Sequence, residues 1–252
     1  MSMLVLVNNL KINYEEKGAG ETLLLLHGWE NNLTIWNEIT PLLNNYRVVR
    51  LDLPGFGKSD LPPKAWNVSD YAEFLNRFLE KLNISKTIII GHSFGGRIAI
   101  KFSVLYPEKV SKLILVDSGG IRLKTPRKFI AFTLAKLGKI FFCLPLIKVQ
   151  RDKIREKFYK TIKAEDYFNI SSPIIKNSFV KIINEDLRIE AKKIKSETLI
   201  IWGEKDNETS LKDAFVFHGL IKDSKLKIIK DAGHFPFLDK KEEFLNILRG
   251  FI

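Results

Sequence analysis

The sequence predicts an α/β protein: a mostly parallel sheet flanked by helices, with one inserted helical cap. Three observations carry this. Short apolar runs alternate with segments of helical spacing up to residue 118, as in strands joined by crossover helices. Those runs are dominated by Leu, Ile and Val, which suits parallel strands covered on both faces. The alternation stops at 119 and resumes at 196, so residues 1–118 and 196–252 read as two parts of one core and 119–195 as a basic helical cap between them.

In chain order, strands are expected at Leu4 to Val7, Ile12 to Glu15, Thr22 to Leu26, Arg47 to Leu51, Thr87 to Ile90 and Lys112 to Val116. Between them, Ile35 to Leu43 and Tyr71 to Leu82 space their apolar residues as helices do, the second with Ser69 as N-cap and Glu73 at capping-box-like distance. Past residue 118, Phe129, Phe132, Leu134, Leu137, Phe141 and Phe142 cluster among lysines, and Arg151 to Lys163 repeats the mixture. The core resumes with a strand at Thr198 to Trp202, a helix around Lys212 to Leu220, a strand at Lys225 to Ile229 and a closing helix from Lys240 to Leu248. No repeat or low-complexity linker intervenes, so the cap should pack on the core rather than hang from a tether.

A chain of 252 residues, 45% hydrophobic and 11% aromatic, can bury a sizeable core. Its single cysteine, Cys143, has no internal partner, which points to a reducing, cytoplasmic setting. The stretch Met1 to Val7 lacks the basic segment and cleavage pattern of a signal peptide. The longest apolar stretch, Phe129 to Leu146, is interrupted by Lys136, Gly138, Lys139 and Pro145, so no transmembrane segment is expected. The net charge of +12 is local: Ile121 to Lys195 holds 19 basic against 7 acidic residues, and the remainder carries 22 of each.

The chemistry begins at Gly91-His92-Ser93-Phe94-Gly95-Gly96, directly after the strand Thr87 to Ile90 and opening the helical run Arg97 to Tyr106. This is G-x-S-x-G in strand–turn–helix context. A serine at such a turn adopts unfavourable dihedrals, at about 1–3 kcal/mol, and flanking glycines remove Cβ atoms that would collide. The strain exposes Oγ, and the helix start directs N–H groups toward negative charge that develops beside it.

A serine hydroxyl needs a base, and neutral imidazole is suited to the task. Of four histidines, His92 adjoins Ser93 and should point away from it, His27 closes a strand, and His218 falls inside a helix. His234, in Asp231-Ala232-Gly233-His234-Phe235-Pro236, lies past the last strand at the carboxyl edge of the sheet and is the candidate base. The acid that orients it is Asp206, in the polar loop Trp202-Gly203-Glu204-Lys205-Asp206. Asp117 is the alternative acid, because it too ends a strand. Oxyanion donors are expected from the backbone N–H of Phe94 and of Trp29, the latter supported by the loop residues His27 and Gly28. Trp29 and Phe94 would also line an apolar substrate pocket.

With these residues in hand, the chain resembles the α/β-hydrolase superfamily over essentially its whole length. The resemblance rests on His27-Gly28-Trp29, Asp52-Leu53-Pro54-Gly55-Phe56-Gly57-Lys58-Ser59, the Ser93 turn, Trp202-Gly203-Glu204-Lys205-Asp206 and Ala232-Gly233-His234, in that order. It implies an α/β-hydrolase fold with an eight-stranded sheet, a cap after the sixth strand, and a Ser93, Asp206, His234 triad that needs no cofactor and no metal. The pattern is similar to single-cap bacterial carboxylesterases and carbon–carbon bond hydrolases. Ser at 93, where dehalogenases and epoxide hydrolases carry Asp, argues against those two chemistries. Ser59 reads as a turn residue only.

The expected activity is therefore hydrolysis of small carboxylic esters through an acyl-enzyme. Carbon–carbon bond or lactone hydrolysis on the same triad is the alternative, and a non-catalytic ligand receptor the alternative of a different class. The basic cap reads first as the solvated side of amphipathic helices. Steering of an anionic substrate, or contact of Lys128 to Phe142 with a membrane surface, are its functional readings. No nucleic-acid partner is expected, because no binding motif accompanies the charge. Arg97, one helical turn past Ser93, should pair with a core acid rather than a substrate carboxylate.

Overall fold

The computed structural model describes residues 2–122 and 172–252. Eight strands form one sheet: β1 (Met3–Val7), β2 (Leu10–Lys17), β3 (Thr22–Leu26), β4 (Arg47–Leu51), β5 (Thr87–His92), β6 (Val110–Val116), β7 (Glu197–Gly203) and β8 (Ser224–Ile229), in spatial order β1-β2-β4-β3-β5-β6-β7-β8. The β1–β2 and β2–β4 pairs are antiparallel and the other five are parallel. The parallel part thus directs the carboxyl ends of β3, β5, β6, β7 and β8 to one edge, where the loops that carry the candidate site residues emerge.

Period-two alternation divides each central strand between two apolar layers. Leu24 and Leu26 of β3 join Phe78, Ile98 and Phe102, from helices α1 (Val68–Lys81) and α2 (Phe94–Leu105), on one face. Leu23 and Leu25 join Ile88, Ile90, Trp36, Phe237 and Phe244 on the other. All four leucines are fully buried, each contributing on the order of 2 kcal/mol.

Two expected helices differ in detail. The helix α1 starts at Val68, because Asn67 rather than Ser69 caps it: Asn67 Oδ1 accepts from the Asp70 amide at 2.9 Å, and Asp70 Oδ2 accepts from the Asn67 amide at 2.7 Å. Ile35 to Leu43 is not one helix but two 3₁₀ turns, Leu33–Trp36 and Thr40–Leu42. Pro41 lacks the N–H that a continuous helix would need there.

Of the expected cap, residues 119–122 and 172–195 are described. The second stretch forms helices α3 (Pro173–Asn184) and α4 (Arg188–Ala191). The aromatic cluster Phe129 to Phe142, the segment Arg151 to Lys163 and Cys143 lie outside the described residues. The described part is fastened to the core. Arg97 Nη1 donates to the carbonyls of Ile182 (3.0 Å) and Glu185 (3.1 Å) at the end of α3, and Lys101 Nζ meets Glu185 and Glu190 at 2.8 and 2.6 Å. Arg97 thus donates its hydrogen bonds to main-chain oxygens exposed at a helix C-terminus, and the negative charges of Glu185, Asp213 and Asp186 favour its guanidinium through space, so the expected pairing with an acid is met only in part.

After β7 come helices α5 (Leu211–Leu220), α6 (Pro236–Asp239) and α7 (Lys241–Arg249).

Candidate active site

Ser93 sits between β5 and α2 with φ 50 and ψ −108, a left-handed backbone rare for a residue with a side chain. The turn holds because its neighbours are glycines. A Cβ at Gly91 would lie 2.6 Å from the Gly95 carbonyl oxygen, and one at Gly95 would lie 2.4 Å from that of Leu26. Main-chain bonds tie the elbow to β6 and its exit: the Ser93 amide donates to the Val116 carbonyl (3.0 Å), and the Gly119 amide donates to the Ser93 carbonyl (3.1 Å). Phe94 is the first residue of α2, so its amide has no acceptor within the helix.

His234 is 8% exposed and stands in the loop after β8. Its Nδ1 donates to Asp206 Oδ2 at 2.8 Å, and its Nε2 lies 3.2 Å from Glu208 Oε2, on a side chain that is 64% exposed. Asp206 is shaped by its own loop: Oδ1 accepts from the amides of Glu208 (2.7 Å) and Thr209 (3.1 Å), and Oδ2 from Thr209 Oγ1 (2.5 Å). Burial alone would raise its pKa, but the hydrogen bonds from His234, Asp117 and Thr209 prevail and bring it down to about 2. Asp206 is thus an ionised carboxylate under His234.

The other sequence candidates take distinct places. Asp117 does not meet His234 Nδ1; it lies fully buried beside Asp206, its Oδ1 accepting from the Gly203 amide at 3.0 Å. Burial drives the His27 pKa down to about 4, so the ring is neutral. Its Nε2 accepts from the Leu53 amide (3.0 Å), which assigns the proton to Nδ1, donating to the Gly28 carbonyl (2.7 Å). Gly28 brings that loop against the elbow: a Cβ there would lie 3.3 Å from Ser93 Cβ and 2.9 Å from His92 Nδ1. Trp29 follows, half-buried, its ring 5.2 Å from Phe94, 4.9 Å from Phe56 and 5.0 Å from Phe179 of α3. Ser59 is the expected turn residue, donating to the Asp52 carbonyl at 2.6 Å. His218 is exposed in α5, bonded to Ser224.

Three contributors have little signal in the sequence. His92 points away from Ser93 as expected, yet its Nε2–H donates to the His234 carbonyl at 2.8 Å and its ring centre is 4.7 Å from that of His234. Burial, with His234 adding to it, holds the His92 pKa near 3, and Nδ1 is unpartnered among the described residues. Glu208 and Phe179 are reached only through folding; no motif marks either.

Asp117, Asp206 and His234 offer atoms within 4.8 Å of one another. Within this cluster the His234 Nδ1 to Asp206 Oδ2 hydrogen bond spans two of the three residues, and Asp117 stands on the other side of Asp206.

A strained serine between a strand and a helix, with a carboxylate–imidazole pair on the adjacent loops, defines the nucleophile-elbow class of α/β protein. The chain belongs to the α/β-hydrolase fold family, whose model matches residues 21–241. Among curated proteins it is 28% identical to the 2-hydroxy-6-oxononadienedioate/2-hydroxy-6-oxononatrienedioate hydrolase of Escherichia coli K12, over 96% of this chain and 91% of that one. It is 29% identical to an uncharacterized protein of Mycobacterium tuberculosis, covering 93% and 76%. Among solved structures, an esterase from Exiguobacterium antarcticum superposes with a TM-score of 0.78 at 26% identity, covering 100% of this chain and 99% of that one. Among the described residues no helix is long and apolar enough to cross a membrane.

Proposed function

We propose that the protein is a serine hydrolase of small carboxylic esters. The observation that carries this reading is Ser93 at φ 50 on its elbow, at the sheet edge where His234 is paired to an ionised Asp206. In the proposed cycle His234 Nε2 takes the Ser93 Oγ proton as Oγ adds to the ester carbonyl. The amides of Trp29 and Phe94 hold the resulting oxyanion, and collapse expels the alkoxide, which leaves with the proton from His234. His234 then deprotonates a water that attacks the acyl carbon, and Ser93 recovers its proton as the acid departs.

Asp206 keeps the imidazole in the tautomer with its proton on Nδ1 and stabilises the imidazolium. Glu208, now at Nε2, must yield that face to Ser93; its exposed side chain can swing into solvent. The aromatic wall of Trp29, Phe56, Phe94 and Phe179 suits an apolar acyl group. The lone cysteine favours action in the cytoplasm.

A fluorophosphonate probe tests this directly. Intact protein is expected to label at one site and to hydrolyse short p-nitrophenyl esters, and Ser93→Ala to lose labelling entirely and roughly a millionfold in kcat. Failure of intact protein to do either would sink the enzyme reading in favour of a ligand receptor. Similarity to the dienedioate hydrolase supports a second reading, carbon–carbon bond hydrolysis on the same residues. It wins if a vinylogous diketone acid is turned over with far higher kcat/KM than any ester or lactone.

A further inference from the structure

Asp117 stands outside the proposed cycle, yet it is the more unusual of the two aspartates. Its relative exposure is 0%, and its backbone is held at φ 42, a left-handed conformation that aspartate tolerates better than most side chains. The loop is anchored to the neighbouring strand: the Asp117 amide donates to the Ile201 carbonyl (3.0 Å). Asp117 is therefore held away from bulk solvent.

The two carboxyl groups are unequally provided. Asp206 collects donors from the Glu208 amide, the Thr209 amide, Thr209 Oγ1 and His234 Nδ1. Asp117 Oδ1 has the Gly203 amide, whereas its buried Oδ2 meets no N–H or other O–H donor among the described residues, and an oxygen of its carboxyl group lies within 4.8 Å of one on Asp206. Two carboxylates in contact in a buried place cannot both be ionised. With four donors on Asp206 and an oxygen without one on Asp117, the proton belongs on Asp117.

From this geometry we infer that Asp117 is a neutral carboxylic acid whose O–H donates to Asp206, a positioning residue that fixes the carboxylate beneath His234. The positioning role rests on the triad reading above; the protonation does not. The electrostatics agree. Burial first, then the contact with Asp206 and the further negative charge of Asp239 in α6, push the Asp117 carboxyl up to about 10, against the Gly203 amide, which pulls the other way. His234 lies behind Asp206 and bonds to it, not to Asp117.

The sign of the pH effect follows. In the unfolded chain Asp117 ionises near the ordinary aspartate value, whereas in the folded protein it keeps its proton to about 10. Between those values the folded state binds one more proton, so stability is greatest at low pH and declines as pH rises toward 10. The side-chain amide introduced by Asp117→Asn would be neutral and able to donate in the same place, without that dependence.

The test is denaturant unfolding of the wild type and Asp117→Asn between about pH 5.5 and 8.5. The wild-type unfolding constant is expected to climb about tenfold more per pH unit than that of the variant. Parallel curves would show an ionised Asp117 and overturn the inference. If Asp117→Asn does not fold, ¹³C-aspartate NMR of the wild type decides: one carboxyl resonance must stay in its protonated position up to about pH 8.5, and titration of every aspartate in the usual acid range refutes the idea.

Kinetics test the positioning role. Asp117→Asn should keep kcat within about tenfold of wild type while Asp117→Ala loses about a hundredfold, with KM little changed in both. A loss in Asp117→Asn as deep as in Asp206→Asn, or full activity in Asp117→Ala, rejects it. Should the wild type neither label nor hydrolyse, the triad reading fails, and the unfolding curves still report on the Asp117 proton.

Discussion

The elbow and the acid–base pair are built in opposite ways. The elbow is local: within six consecutive residues, β5 ends, Ser93 takes φ 50, α2 begins, and two glycines admit the close passage of the Gly95 and Leu26 carbonyls. The pair is assembled from two loops after different strands, and a buried histidine from the elbow itself, His92, supports the second loop through the His234 carbonyl. Local construction makes a nucleophile recognisable from spacing alone. Distributed construction makes the choice of acid a matter of which loop can turn a carboxylate toward the imidazole.

Substitutions can separate the two constructions. Asp206→Asn is expected to cost most, about ten-thousandfold in kcat, because it leaves the elbow intact while losing the imidazole's tautomer and charge. Steady-state ester kinetics would show this, and a loss under tenfold would return the acid role to Asp117.

Next is Gly95→Ala, which strikes the elbow from the other side. Its Cβ would lie 2.4 Å from the Leu26 carbonyl oxygen, so folding stability should fall by about 1–3 kcal/mol, read as a lower urea midpoint. His92→Phe tests the bridge between the regions. With the His234 carbonyl left unpaired, kcat should drop about tenfold to a hundredfold, and His92→Gln, which restores a donor, should recover most of it. Equal activity in both variants would make His92 a packing residue only.

The smallest effect is expected of Glu208→Gln. Weakening an exposed partner at Nε2 should speed fluorophosphonate labelling by about twofold to fivefold. Slower labelling would mean that Glu208 assists the base instead of competing for it.

Much of this is legible in the sequence. The strands announce themselves as apolar runs, the elbow as glycine spacing, and His234 by its place beyond the last strand. Asp206 and Asp117 are harder to separate because both terminate parallel strands. What distinguishes them is a turn in which Glu208 and Thr209 direct donors back onto Asp206, a geometry that residue types do not encode. Taking Ser69 as the cap of α1 places it two residues late: Glu73 stands four residues on, one more than a capping box needs, whereas Asn67 and Asp70 stand three apart and form one in the fold. Arg97 looks in the sequence like a residue in need of a carboxylate, since helix-end carbonyls from a segment 85 residues away leave no trace near it in the chain.

That Arg97 contact has a consequence for tolerance to change. Arg97 is one helical turn from Ser93 and grips the end of α3, while the Gly119 amide donates to the Ser93 carbonyl. The chain is therefore tied to the Ser93 turn and the start of α2 both before residue 123 and after residue 171. Replacement of the residues between those two ties would leave the contacts that hold Ser93 at its turn in place.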